Sequence, residues 1–303
     1  MKAGSLYFAY GSNLNPADWQ RFCRKHGEDP GVLRPVGPGW LPDYRPVYHY
    51  RSASRGGGAL DVTPERSHAT PGLLFEIRPE GWRVLDHKEG APNFYARQGV
   101  AVLLGAGEIV SAITYCVTPG RREAAFIPPS ADYSALVAAG LLQWGLPTAA
   151  HAAAAAGHAP QPLIHHLFVY GLLQSAWGAT RTIPGVSSCG RATAPGQLFD
   201  LGAYPGWQPS VNANADVVGE LLEMENPDEA LAQTDRIEGC HGYQDTSRFR
   251  RVLLRATAAD GTVALAWCYR YMGAVSGGPI RGGAWPPVPV AADVGVALSG
   301  VSV

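Results

Sequence analysis

An internal repeat is the feature that most limits how this 303-residue chain can fold. Three short motifs in the first half recur, in the same order, in the second half. They pair as Tyr10-Gly11 with Tyr170-Gly171, Gly72–Ile77 with Val218–Glu223, and Leu85–Gly90 with Thr234–Gly239. Gly11 and Gly171 lie 160 residues apart, Gly72 and Gly219 lie 147 apart, and Glu89 and Glu238 lie 149 apart. The offset shortens only in the loop-rich early part of the copies. The pattern indicates duplication of a domain of about 150 residues.

The repeat predicts a first domain at residues 1–147 and a second at residues 163–303. Residues 148–162, rich in alanine, glycine and proline, are interpreted as the linker between them. Within each copy, strand-like and helix-like segments are mixed without the regular alternation of a doubly wound sheet. We therefore predict an α+β fold with a largely β core in each domain.

The composition allows a large core and argues against several partners. Hydrophobic residues make up 46% of the chain and the net charge is −1, so nucleic acid and anionic membrane surfaces are poor candidates. The five cysteines are scattered, without a Cys-x-x-Cys pair, which argues against a zinc site and favours a reducing compartment. With neither a signal-peptide pattern nor an apolar stretch of bilayer length, we expect a cytoplasmic protein without bound metal.

The first copy contains six strand candidates. They begin with the aromatic run at Leu6 and continue at 47–50, 59–63, 72–77, 98–104 and 109–117. The glycine- and proline-rich residues 27–45 are interpreted as a loop. Helices are predicted after Asn15, over Pro79–Lys88, and from a Ser130 cap to about Trp144.

Two stretches together suggest a site. The run Leu6–Leu14 predicts a buried strand that opens at Gly11 into a tight loop, because glycine permits unusual backbone angles and close approaches. Such a loop can offer several backbone N–H groups to one oxygen. The stretch Leu85–Gly90 adds a carboxylate, Glu89. Backbone N–H donors beside a carboxylate base would suit acyl chemistry. The alternative is that the two stretches are only a plain strand and a helix that ends in Glu-Gly, without a site.

The motifs of the first copy resemble those of the γ-glutamylcyclotransferases. The matching residues are Tyr10-Gly-Ser-Asn-Leu14, Leu85-Asp-His-Lys-Glu-Gly90, Tyr95, Pro129-Ser-Ala-Asp-Tyr133 and Gly145-Leu-Pro147. The second copy is similar to the γ-glutamylamine cyclotransferase branch, through Phe168-Val-Tyr-Gly-Leu-Leu173, Gly196–Pro205, Glu238-Gly239 and Phe249-Arg-Arg251. It departs from that branch at Leu172, where threonine is usual, and at Phe249, where tyrosine is usual.

The resemblance implies a β-barrel of about six strands with flanking helices in each domain. It also implies cofactor-free cleavage of a γ-glutamyl amide to 5-oxoproline and a free amine. Glu89 and Glu238 would be the general acid/bases of the two copies. The substrate-binding residues would be Tyr10, Gly11, Ser12, Asn13, Leu14, Tyr95 and Tyr133 in the first copy, and Tyr170, Gly171, Leu172 and Leu173 in the second.

Several alternatives stay open at this stage. The substrate could be a γ-glutamyl amino acid, glutathione, or a γ-glutamyl amine. Both copies could be active, or one could be the enzyme and the other a structural partner. A non-catalytic module that binds a metabolite or a protein is the competing class. The sequence leaves the oligomeric state open.

Overall fold

A computed structural model describes residues 5–210, 216–244 and 246–285, so the C-terminal part of the predicted second domain, 286–303, lies outside the described residues. In the first copy the elements, in chain order, are β1 (Ser5–Ala9), α1 (Pro16–His26), β2 (Leu33–Ser52), β3 (Gly57–Ile77), α2 (Gly81–Glu89), β4 (Tyr95–Leu103), β5 (Ile109–Val117) and α3 (Ala131–Gln143). The five strands close into a barrel in the order β1-β3-β2-β4-β5. β1 is antiparallel to β3 and parallel to β5.

The predicted strand count was wrong, because the barrel has five strands rather than six. The segments predicted as separate strands at 59–63 and 72–77 belong to the single strand β3. Its partner β2 runs through much of the stretch interpreted as a loop, residues 27–45. Bulges in the pairing follow Pro35 and Pro42, and they let a proline-rich segment stay in the sheet.

The second copy repeats this architecture. Its elements are β6 (His166–Val169), α5 (Ala179–Thr182), β7 (Val186–Pro195), β8 (Gln197–Asp200), β9 (Pro205–Gln208), β10 (Asp216–Met224), α6 (Pro227–Glu238), β11 (Phe249–Ala258) and β12 (Val263–Tyr271). Five of the strands close in the order β10-β6-β12-β11-β7, and β8 and β9 form a separate hairpin. β6 is parallel to β12, as β1 is to β5. The α+β class and the tandem arrangement are therefore confirmed.

Two helices follow the first barrel. Ser130 caps α3, as predicted, by accepting a hydrogen bond from the Tyr133 backbone N–H. Within the predicted linker, the alanines form helix α4 (Ala149–Ala155). This helix packs on β2, where the His151 ring is hydrogen-bonded to the Tyr48 hydroxyl at 2.8 Å. None of the helices in the described part of the chain is both long and apolar enough to cross a membrane.

The two copies are in direct contact. The turn between β4 and β5 lies on the second barrel, where the Gly107 N–H donates to the Leu253 carbonyl at 2.8 Å. Ala69 and Leu103 of the first copy belong to a hydrophobic core cluster of the second. The Arg251 guanidinium, 1% exposed, donates to Asp43 of the first copy at 2.5 Å and to Asp235 of its own copy at 2.8 Å. Apolar packing and a buried ion network therefore join the barrels.

Candidate active sites

The loop after β1 forms one wall of a small cavity at the end of the first barrel. Tyr10, Gly11, Ser12 and Asn13 line it. Gly11 has a φ of −118°, outside the left-handed region, and an added Cβ would meet only Leu60, at 4.0 Å. Its ψ of −140° lies outside the regular strand and helix regions, so the glycine combines an irregular backbone conformation with open space beside the cavity.

Leu14 was proposed from the sequence as a substrate-binding residue of this loop, but its backbone N–H is already used within the protein. Its side chain is fully buried, and its N–H donates to the Gly11 carbonyl at 2.9 Å within the turn. The N–H groups of Gly11, Ser12 and Asn13 have no acceptor among the residues that the structure describes. Of the four N–H groups of this loop, these three are therefore unpaired in the described part of the chain.

Glu89 lines the same cavity and is held by an amide. It is the last residue of α2, and Gly90, with a φ of 62°, ends the helix in the left-handed conformation that favours glycine. The Asn13 side-chain amide donates to the Glu89 carboxylate at 2.8 Å and to the Tyr7 hydroxyl at 2.7 Å. The loop and the carboxylate, distant in sequence, are thus joined by one side chain.

Burial is the main influence on the Glu89 carboxyl and raises its pKa above the ordinary value. The neighbouring Lys88, the hydrogen bond from Asn13 and the Arg55 guanidinium act in the opposite direction. Lys88 and Arg55 are themselves paired with the buried Asp18, at 2.6 and 3.1 Å. Sequence reasoning missed this network, although Lys88 directly precedes the glutamate in the motif.

Three predicted tyrosines also line the first cavity, and each of their hydroxyls is hydrogen-bonded to the backbone. Tyr10 donates to the Tyr115 carbonyl at 2.6 Å, and Tyr95 donates to the Leu60 carbonyl at 2.9 Å. The Tyr133 hydroxyl accepts a 3.4 Å hydrogen bond from the Leu60 N–H. The Tyr10 and Tyr95 hydroxyls donate to the protein itself, whereas the Tyr133 hydroxyl accepts a bond and keeps its own proton.

The second barrel has a corresponding cavity, of about 230 Å³, lined by Tyr170, Gly171, Leu172, Leu173 and Glu238. Tyr170 donates to the Tyr269 carbonyl at 2.6 Å, which repeats the bond from Tyr10 to Tyr115. A Cβ on Gly171 would lie 2.8 Å from Pro205, so this position requires glycine. The structure thus brings the predicted residues of the second copy together around one space.

Glu238 differs from Glu89 in its surroundings. The position of Asn13 is occupied by Leu173, and the Glu238 carboxylate has no hydrogen-bond partner in the described ranges. The residue is partly buried and its side chain lines the cavity. This burial alone raises the pKa of Glu238 to about 7.

Each catalytic candidate is preceded, one helical turn earlier, by an aspartate that anchors the helix. Asp86 accepts from Arg97 at 2.8 Å and from the Tyr115 hydroxyl at 2.7 Å. In the second copy, Asp235 accepts from Arg251 at 2.8 Å and from the Tyr269 hydroxyl at 2.7 Å. Sequence reasoning missed both anchors, although the same aspartate, arginine and tyrosine are present in each copy.

Comparisons with known proteins match both copies. A family model described as "Gamma-glutamyl cyclotransferase, AIG2-like" matches residues 7–135 and 167–287. A solved structure titled "Gamma-glutamyl cyclotransferase" is 23% identical, with 52% of this chain and 89% of that chain covered and a TM-score of 0.43. YkqA from Bacillus subtilis is 15% identical, with 89% and 84% covered and a TM-score of 0.35. A search of curated proteins finds no significant match.

Proposed function

Because this chain belongs to the gamma-glutamyl cyclotransferase, AIG2-like family, we propose that it cleaves a γ-glutamyl amide to 5-oxoproline and a free amine or amino acid. The observation that carries the proposal is the same in both copies. A desolvated glutamate, Glu89 or Glu238, faces one cavity with the loop that follows the first barrel strand.

The reaction begins with a proton transfer. The α-ammonium of the γ-glutamyl group becomes a nucleophile only when a base removes its proton, and a model α-amino group has a pKa of about 8. An ordinary glutamate, with a pKa of 4.5, is too weak a base to remove that proton readily. Burial raises the pKa of Glu89 and Glu238 and so brings it closer to the pKa of the α-amino group.

The bond changes then balance without a cofactor. The α-nitrogen attacks the γ-carbonyl carbon and gives up its second proton, and the amide C–N bond breaks. Both protons lost by the α-nitrogen leave on the departing amine, the first of them returned by the glutamic acid. Because the attack is intramolecular, the cavity accelerates it mainly by holding the substrate in a folded, ring-like shape. The free N–H groups of Gly11, Ser12 and Asn13 are suited to stabilise the developing oxyanion.

The test is 5-oxoproline release from γ-glutamyl amino acids, glutathione and γ-glutamyl amines. Wild type is compared with Glu89→Gln and Glu238→Gln, each expected to reduce turnover at its own site by a factor of about 10² to 10⁴. Glu80→Gln and Glu229→Gln, at the opposite ends of the same helices and exposed, are the controls. Release by wild type that survives both site substitutions combined, or no release from any substrate, would refute the proposal.

A further inference from the structure

The helix that carries Glu238 is anchored in part by residues of the other copy. Glu238 is the last residue of α6, and Asp235 lies one turn earlier on the same helix. The Asp235 carboxylate accepts from the Arg251 guanidinium at 2.8 Å, and this guanidinium also donates to Asp43 of the first copy at 2.5 Å. Arg66, also of the first copy, lies 3.8 Å from Asp235. Charged groups of the first barrel therefore reach the helix that carries the second catalytic candidate.

The equivalent anchor of the first copy lies at the surface instead. Arg97 and Arg251 are each the third residue of the equivalent strand. Arg97 is paired with Asp86, and their side chains are 40% and 35% exposed, so water can hydrate both charges. The side chains of Arg251 and Asp235 are only 2% and 5% exposed. A buried guanidinium depends on protein partners for what water supplies at the surface, and Asp43 is such a partner.

The backbone of Asp43 adopts an uncommon conformation at this contact. Its φ is 58°, and Ser67, with a φ of 70°, is the only other residue besides glycine with a positive φ in the described ranges. The Ser67 N–H donates to the Asp43 carboxylate at 3.1 Å, and the strand pairing has a bulge between Pro42 and Tyr44. Such conformations persist where the surrounding structure holds them, and they are concentrated at functional positions.

Asp235 connects the contact between the copies to the second cavity. Its carboxylate also accepts from the Tyr269 hydroxyl at 2.7 Å, and the Tyr269 carbonyl accepts from the Tyr170 hydroxyl at 2.6 Å. Tyr269, Tyr170 and Glu238 all line the cavity. The Asp235 carbonyl accepts from the Cys240 N–H at 2.8 Å, which closes the end of the helix just after Glu238. One aspartate thus holds both the helix end and a wall of the cavity.

We propose that Asp43 is a positioning residue of the second active site, and that it acts through Arg251 and Asp235 on the placement of Glu238. This proposal rests on the proposed function. Without the charge of Asp43, the buried guanidinium keeps one carboxylate instead of two, and the anchor of α6 is weakened. A displacement of about 1 Å at a reacting group can lower turnover by about a hundredfold. The first barrel is therefore part of the second site as well as the frame of its own.

The test separates the two sites within the full chain. With Glu89→Gln the remaining release of 5-oxoproline reports the second site, and with Glu238→Gln it reports the first. Asp43→Asn is combined with each, because asparagine also tolerates the left-handed backbone and the change removes the charge. We expect kcat at the second site to fall by about tenfold or more, and kcat at the first site to change less than about twofold.

A general loss of stability would give a different pattern. Asp43 lies in the first barrel, so a substitution that merely loosened this barrel would lower the first site at least as much as the second. Glu65→Gln is the matched control, because Glu65 is a carboxylate of the same barrel that is paired with Arg45 and is 48% exposed. We expect it to change neither site. Circular dichroism confirms that each variant is folded.

Hydrogen exchange followed by mass spectrometry tests the anchor without turnover. In the Asp43→Asn protein, we expect the backbone amides of α6 to exchange about tenfold faster than in wild type. The equivalent helix α2 of the first copy is the internal control and should exchange at the wild-type rate.

The outcomes separate this proposal from the one on which it rests. No release of 5-oxoproline by wild type from any γ-glutamyl substrate refutes the proposed function, and this proposal with it. With an active wild type, an equal loss at both sites, a loss confined to the first site, or unchanged exchange in α6 would overturn the role of Asp43 and leave the function standing. A Glu89→Gln chain that is inactive on every substrate would also overturn it, because no second site would then depend on Asp43.

Discussion

The desolvated Glu238 carboxyl predicts that removing its charge stabilises the fold while it inactivates the second site. Folding raises the pKa of this group from an ordinary 4.5 to about 7. The folded chain therefore holds the proton more tightly than the unfolded chain, and stability falls as pH rises between these two values. The full cost, present above pH 7, is about 3 kcal/mol.

Glu238→Gln is uncharged at every pH and escapes this cost. At pH 8 we expect the variant to exceed wild type in free energy of unfolding by up to about 3 kcal/mol. At pH 4.5, where the carboxyl of the folded wild type is protonated, the difference should nearly vanish. Urea denaturation at the two pH values, followed by far-ultraviolet circular dichroism, measures both quantities.

Two variants serve as comparisons. Glu229→Gln, at the exposed start of α6, is expected to shift stability by only a few tenths of a kcal/mol through the helix dipole. Glu89→Gln should gain less than Glu238→Gln, because it weakens the hydrogen bond from Asn13, which then ends on an uncharged oxygen, and removes the attraction of Lys88. A Glu238→Gln protein that is equally or less stable than wild type at pH 8 would refute the desolvation argument.

Three further predictions concern the first copy and its contact with the second. Asn13→Leu removes the hydrogen bond that favours ionised Glu89, so the lower pH limit of the Glu238→Gln protein should move to higher pH; an unchanged profile would contradict this. Gly107→Ala places a Cβ 2.2 Å from the Trp207 ring at a φ of 86°, and calorimetry should show a loss of about 1–3 kcal/mol. Asp43→Asn weakens one of the two ion pairs of a buried guanidinium, and urea denaturation should show a loss of about 1–3 kcal/mol; a change below about 0.5 kcal/mol would count against it.

The features predictable from sequence were those encoded locally. The Ser130 cap and the helix that ends in Glu89-Gly90 depend on neighbouring residues, and the duplication is visible because short local motifs recur; the structure contains all three. The long β2 was hidden because its prolines, such as Pro42, resemble those of a loop until a partner strand with bulges is present. The anchoring of Glu89 by Asn13 joins residues 76 positions apart, a distance at which no local pattern operates.

The ion network at Arg251 also bears on the order in which the two copies fold. The chain is synthesised from its N-terminus, and domains generally fold as units in that order. Asp43, Ala69 and Leu103 can therefore occupy their places before β11 leaves the ribosome. The second barrel then assembles against a finished surface that supplies a counter-ion and part of its core. In a chain that carried the copies in the reverse order, the same barrel would emerge first and lack both.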